Sequence, residues 1–381
     1  MKVTHLDVFP VSAGWRTWVF LRLGTDEGLT GWGEATMVFG DAAVLGAIED
    51  LREFVIGIDP MRIEDFWSTR FYRTIFHGPS FYSALAGIEH ALWDLVGKRL
   101  EVPVYRLLGG ALRQRVRLYA NTWFLGARTP DEYAERAHAI VAQGWDAVKF
   151  DPLPGSLLAA GRDELRSAAD KVRAVREAVG ADVDILIECH GRLSPESAIR
   201  LADALTEFRP FWIEEPVPAH NPLAMRKVKE HTSIPVATGE RLSTRWQFRE
   251  LLSLGAVDIV QPDMTQCGGL LEAKRVAALA ATYGVTVAPH CPRGPIATAV
   301  GLHFAASTPN FLILEYPTDL GRVDWRQDLT TTPERIEAGH MTLPTAPGLG
   351  VELIERELVK HAATSFIREI PGYFEPGFTI V

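Results

Sequence analysis

The sequence predicts an α/β fold in which a (β/α)-barrel carries an α+β capping domain, and three observations lead there. The chain has 381 residues, more than one small core usually organises. Its first third changes from strand-like alternation to helical periodicity, and from about residue 116 short β-branched runs alternate with helix-start signals. The last part loses that rhythm and becomes rich in turns.

Residues 3–36 alternate apolar and polar side chains around Gly24-Thr25-Asp26-Glu27-Gly28, the pattern of antiparallel strands joined by a glycine turn. Residues 41–109 switch to helix, where Ser83, Ala84, Leu85, Ile88, Ala91, Leu92 and Leu95 make one stripe with Asp94 and Lys98 outside it. Strands are then predicted at 116–122, 147–150, 183–188, 211–214, 235–237, 257–261, 285–289 and 311–315, with helices opening at Thr129-Pro130 and Ser194-Pro195. Eight parallel strands with intervening helices close a TIM-like barrel. The alternative, an open doubly wound sheet, would call for a G-x-G-x-x-G phosphate turn after an early strand, and none is found. After Asp319, turns such as Ala346-Pro347-Gly348-Leu349-Gly350 predict that the tail leaves the barrel and packs back on the first domain. The predicted units are a capping domain at 1–114, a modified barrel at 115–320 and a C-terminal segment at 321–381 that completes the cap.

Charge and composition remove several function classes. A net charge of -9 without a basic run opposes binding to a phosphate backbone, so no nucleic-acid partner is expected. The stretch 276–288 is interrupted by Thr282, Tyr283 and Gly284, and no apolar run reaches the ~18 residues of a membrane span. Polar residues follow Met1 too soon for a signal peptide, and Cys189, Cys267 and Cys291 lack the spacing of a disulfide framework or zinc site. Reduced thiols in the cytoplasm are expected.

Chemistry is carried by the strand ends, because a barrel builds its active site on the face where its strands finish. The third strand ends at Glu188, the fourth at Glu214-Glu215-Pro216 and the fifth at Thr238-Gly239-Glu240. Glu188, Glu214 and Glu240 are separated by equal gaps of 26 residues, as if each held the same place in a repeated unit. Adjacent strands lie about 4.8 Å apart, so the three carboxylates should converge. Converging carboxylates call for a hard divalent cation, and Mg2+ is the expected cofactor. A single strand-end carboxylate is as readily a solvated loop residue; three in register are not.

Alternation predicts that His190 shares a side with Glu188. Asp263, after the sixth strand, and His290, after the seventh, can form an orienting-acid and base pair across adjacent strands, with Glu315 of the eighth strand nearby. His5, His90, His138, His220, His231, His303, His340 and His361 are read as structural, being placed on helices and loops.

The residues Glu188-Cys189-His190-Gly191-Arg192, Ile213-Glu214-Glu215-Pro216, Thr238-Gly239-Glu240-Arg241, Gln261-Pro262-Asp263 with Gly268-Gly269, and Pro289-His290-Cys291-Pro292 resemble the mandelate racemase subgroup of the enolase superfamily. The similarity spans essentially the whole chain, including Gly31-Trp32-Gly33-Glu34 and Leu92-Trp93-Asp94-Leu95 in the cap, and is greatest to acid-sugar dehydratases of the galactonate dehydratase type. The resemblance implies Glu188, Glu214 and Glu240 as ligands of one Mg2+, His290 with Asp263 as the base dyad, His190 as the acid and Glu315 as a partner of the enolate or substrate carboxylate. The pairing of such bases with magnesium is a general property of that superfamily. Two departures stand out. Glu188 occupies a position more often held by aspartate, and Val148-Lys149-Phe150-Asp151 keeps one lysine of a K-x-K pattern and has aspartate in place of the second. The second departure favours His190 over a lysine as the second catalytic group.

The implied reaction is dehydration of an aldonate or aldarate to a 2-keto-3-deoxy acid, in a homo-oligomer whose partner is the small carboxylate substrate. Lys149, Arg192, Trp15, Arg16, Phe76 and His77 are the candidate substrate contacts. A racemase, epimerase or cycloisomerase would use the same scaffold, separated by a product assay. A noncatalytic protein of this fold would be expected to lack a ligand or the dyad, and here all are present.

Overall fold

A computed structural model describes residues 1–366 apart from 15, 76, 154, 156, 157 and 319–322. The chain opens with the antiparallel strands β1 (Val3–Ala13), β2 (Arg16–Thr25) and β3 (Thr30–Glu34). In β2, Trp18 and Phe20 join the large core shared with the barrel, whereas Val19, Leu21 and Leu23 join a second core. The period-2 alternation of the strand therefore glues two hydrophobic cores together. Helices α1 (Asp41–Val55), α2 (Ile63–Arg73) and α3 (Pro79–Arg99) cover the second core, and the short α4 (Val104–Leu107) leads out.

The barrel follows as β4 (Arg115–Asn121), α5 (Pro130–Val141), β5 (Ala147–Phe150), α6 (Arg162–Val179), β6 (Asp184–Glu188), α7 (Pro195–Leu205), β7 (Trp212–Glu214) and α8 (Pro222–Lys229). It continues through β8 (Val236–Thr238), α9 (Thr244–Ser253), β9 (Ile259–Val260), α10 (Leu270–Thr282), β10 (Thr286–Val287), α11 (Pro295–Ala306) and β11 (Leu314–Pro317). Each of the eight predicted strands is present, with ends displaced by up to three residues. Parallel pairing runs in order from β4 to β10, and β11 pairs with β4. A bridge between Val287 and Phe311 closes the ring. Sequence signals explain the helices: Thr129 caps α5 with Glu132 in a capping box, and Ser194 and Asn221 cap α7 and α8, each ahead of a proline.

Tyr119, Ala147, Leu186, Trp212, Ala237, Ile259, Ala288 and Ile313, one from each strand or its flank, make a small separate cluster that fills the barrel interior. Mixed large and small side chains fit there because the tube is narrow. Outward neighbours such as Val148, Ile185, Ile187, Ile213 and Val260 belong to the large core under the helices.

After β11 the described residues form a short 3-10 helix, Asp324–Leu329, and no α-helix before the next strands. Instead β12 (Ile336–Glu337) and β13 (His340–Thr342) form a hairpin whose second strand pairs antiparallel with the start of β4. The chain then reaches the first domain: Val104 N donates to Gly348 O at 3.0 Å, Ser12 N to His361 O at 2.9 Å, and α12 (Glu355–Lys360) packs on β1.

Two helices facing the cap begin at glycines and lack side-chain caps of their own. The capping domain supplies them. Glu89 of α3 accepts from Leu270 N at 3.0 Å and Leu271 N at 2.8 Å, while Glu34 of β3 accepts from Gly294 N at 2.7 Å and Ala297 N at 2.8 Å. A carboxylate at a helix N-terminus satisfies orphan donors and favours the helix dipole. Gly269 is needed at this joint: its φ is +106°, and a Cβ there would stand 2.6 Å from Glu89 Oε2.

Candidate active site

Two residues beyond each member of the interior cluster stands the layer above it: Asn121, Lys149, Glu188, Glu214, Gly239, Gln261, His290 and Glu315. The period of two places polar groups over an apolar plug, inside the mouth of the barrel. Glu188 and Glu214 are paired in register on β6 and β7. Glu240 is not their equivalent, for the register partner of Glu214 on β8 is Ala237, three residues earlier. The ring position on the fifth strand belongs to Gly239, whose φ is +144° and where a Cβ would lie 2.8 Å from Gln261 N. The chain turns there and delivers Glu240 from beyond the strand. Equal sequence spacing thus anticipated that Glu240 joins Glu188 and Glu214, but by a repeat that the register does not have.

Glu188, Glu214 and Glu240 present oxygen atoms that all lie within 4.8 Å of one another. Lys149 sits on the same group, its Nζ 2.7 Å from Glu214 and 3.3 Å from both Glu188 and Glu315. Burial and the neighbouring Glu188 push the Glu214 carboxyl up to about 8, and burial also raises Glu188. Burial opposes the charge on Lys149, but Glu214 and Glu315 outweigh it and raise its pKa. The Arg241 guanidinium also reaches Glu240, at 3.4 Å, yet Glu188 and Glu214 are raised because carboxyls this buried and crowded resist ionising together. An all-oxygen set of this kind fits a hard divalent cation, which would let all three ionise.

On one side stands His290, with Nδ1 2.8 Å from Asp263 Oδ2 and Nε2 3.2 Å from Glu240. Asp263 also takes Arg293 Nη2 at 2.7 Å on that same oxygen, and Thr265 N at 2.7 Å on the other. Burial would raise its carboxyl, yet Arg293 and His290 hold it well below the usual carboxylate range. It is a fixed anion, suited to orienting a ring. Glu315 accepts from Asn121 Nδ2 at 2.5 Å and Cys291 N at 2.8 Å. Lys149 and His290 hold it ionised against the effect of burial.

On the other side is His190. The expectation that alternation orients it does not hold, because β6 ends at Glu188 and His190 lies in a turn with φ +50°. It remains beside the first carboxylate for another reason: its backbone N donates to Glu188 Oε1 at 2.7 Å. Its ring Nδ1 meets Asp151 Oδ2 at 2.8 Å, and Arg192 Nη2 reaches that oxygen at 2.5 Å. Burial opposes the charge on Asp151, but Arg192 and His190 bring its carboxyl down to about 2. In a ring of eight strands, β6 and β10 are four apart, as are β5 and β9. The two aspartate–histidine pairs therefore face each other across the mouth.

The candidate substrate contacts are scattered. Lys149 lies within the carboxylate group, and Arg192 is buried on Asp151. Arg16, also buried, reaches from the start of β2 to the Pro292 carbonyl beside His290. His77 is exposed and stacks on Phe81 at the edge of an aromatic group with Phe71. Trp15 and Phe76 lie outside the described residues. Sequence reasoning passed over Asp151, seen only as a missing lysine, although it is a strand-end carboxylate like the others. It also missed Arg293, for which nothing in the local pattern gives a signal.

Comparison with known proteins identifies the class. Residues 8–109 match the family described as "Mandelate racemase / muconate lactonizing enzyme, N-terminal domain", and residues 132–357 match "Enolase C-terminal domain-like". The chain belongs to the mandelate racemase/muconate lactonizing enzyme group of the enolase superfamily. It is 38% identical over 97% of its length to a D-gluconate dehydratase of Thermoproteus tenax, covering 74% of that protein. A D-galactonate dehydratase of Ralstonia pickettii (strain 12J) is 36% identical over 99% of this chain and 97% of its own. Among solved structures, a member of the enolase superfamily from Salmonella Typhimurium superposes with a TM-score of 0.90 at 34% identity, covering 95% of this chain and 98% of that one. A mandelate racemase/muconate lactonizing enzyme from Jannaschia sp. CCS1 gives 0.89 at 35% identity, covering 96% and 98%. Among the described residues, no helix is long and apolar enough to cross a membrane.

Proposed function

We propose that this protein is a Mg2+-dependent hydro-lyase that dehydrates a sugar acid, an aldonate or aldarate, to a 2-keto-3-deoxy acid. The observation that carries this reading is the opposition of two aspartate-held histidines across a cluster of three carboxylates. The two dehydratase relatives, which cover nearly the whole chain, support the reaction class.

Glu188, Glu214 and Glu240 would hold the cation, which when bound supplies Lewis-acid stabilisation of charge developing on the substrate carboxylate. His290, its Nδ1 fixed by Asp263, presents Nε2 to remove the C2 proton; Asp263 stabilises the resulting imidazolium without taking the proton. His190 then donates a proton to the C3 hydroxyl, which leaves as water, and the enol product tautomerises. Glu315 contacts the enediolate or substrate carboxylate; since it is held as an anion, that contact requires it to take up a proton when substrate enters. Lys149 and Arg192 are retained as candidate substrate contacts, and Arg16 and His77 extend the set from the cap.

The test is a screen of aldonates and aldarates with Mg2+, scored for 2-keto-3-deoxy product. Turnover of at least one acid is expected. Inversion at C2 without 2-keto product, or no turnover of any acid, would replace this reading.

A further inference from the structure

Strand geometry gives His190 no reason to face the carboxylates. Both His190 and Gly191 are left-handed, at φ +50° and +67°, so the ring leaves a turn and its direction is set by what it touches. Among the described residues its ring is held by Asp151, just past the end of the neighbouring strand. Asp151 is itself fixed: Oδ1 accepts Leu153 N at 2.9 Å, its carbonyl accepts the Tyr133 hydroxyl at 3.1 Å, and Arg192 donates to Oδ2. Arg192 is tied in turn through Nε to Cys189 O at 3.1 Å. This Arg192–Asp151–His190 group repeats Arg293–Asp263–His290 on the opposite wall, down to one carboxylate oxygen shared by arginine and histidine.

We propose that Asp151 is a positioning residue for the elimination step, accepting the Nδ1 proton of His190 so that Nε2 is turned to the substrate and carries the proton to be delivered. The proposal rests on reading His190 as the proton donor. In that step the Nε2–H bond breaks as its proton passes to the C3 oxygen. The C3–O bond breaks with its electron pair leaving on that oxygen as water, and electrons of the enediolate form the C2–C3 double bond. Asp151 exchanges no proton and touches no substrate; Arg192 holds it in place.

The test compares Asp151→Asn, Asp151→Glu and His190→Asn with the wild type in deuterated water, on the sugar acid found by the screen. Two rates are read: release of 2-keto product and entry of deuterium at C2 of recovered substrate. An amide in place of Asp151 can favour the wrong tautomer, so Asp151→Asn should lower kcat for dehydration by about 10²-fold or more with KM nearly unchanged. Exchange should persist, and the ratio of exchange to elimination should rise as in His190→Asn. Asp151→Glu, which keeps the charge, should give an intermediate ratio and serves alone if the amide variant does not fold. A merely structural role would depress both rates together, and an unchanged ratio overturns the proposal. If His190→Asn itself leaves the ratio unchanged, the reading of His190 as donor fails instead.

Discussion

His290 Nδ1 and Arg293 Nη2 meet the same oxygen of Asp263, at 2.8 and 2.7 Å. The arginine makes the aspartate a permanent anion, and the anion fixes the tautomer and direction of the imidazole. Asp263→Asn leaves the shape but can offer an N–H where an acceptor is needed. Turnover should fall with His290 still present, by up to on the order of 10⁴-fold, the size of effect seen for this exchange in a hydrolase triad. Steady-state kinetics check this; an unchanged rate and pH profile would break the assignment.

The carboxylate cluster predicts that the cation stabilises the fold as well as serving the reaction. Ligand at a hundredfold excess over its Kd adds about 2.7 kcal/mol, so Mg2+ should raise the melting temperature of the wild type. Glu240→Gln should lose most of that shift and all turnover, and should melt somewhat lower than the wild type in chelator as well, because against burial His290 and Arg241 hold Glu240 ionised and the amide gives up both ion pairs. Full turnover after exhaustive chelation would rule out a metal role.

A third expectation concerns the joint between cap and barrel. Burial pushes Glu89 up from 4.5 to about 7 against the pull of the Leu271 and Leu270 amides. The folded state thus binds more protons than the unfolded between those values, and this group's contribution to stability falls as pH rises through that window, by about 3 kcal/mol at most. Glu89→Gln should flatten the pH dependence of denaturant unfolding between pH 5 and 8. Glu89→Ala should cost about 1–3 kcal/mol by leaving the Leu270 and Leu271 N–H groups without partners. An Ala variant as stable as the wild type would mean the helix start is satisfied without the cap.

Much of this was legible in the sequence because barrel strands are short and period-two. Glu188, Glu214 and Glu315 could be placed by counting from apolar residues, and His290 by its strand. Where the strand stops, counting fails. Glu240 and His190 are delivered by turns, at Gly239 and at His190 itself, and their positions depend on φ values and contacts that no alternation encodes. Asp151 and Arg293 were hidden because their partners lie 39 and 30 residues away along the chain. The caps that Glu34 and Glu89 place on α11 and α10 span 260 and 181 residues, and local capping signals do not reach so far.

In the proposed reaction His290 removes the C2 proton and His190, on the opposite wall, delivers one to the leaving hydroxyl. It is tested most directly by incubating His290→Asn and His190→Asn with substrate in deuterated water and analysing C2 of the recovered acid. No deuterium is expected with His290→Asn, and deuterium with retained configuration but little 2-keto product with His190→Asn. Deuterium incorporated by His290→Asn and not by His190→Asn would contradict it and exchange the two roles.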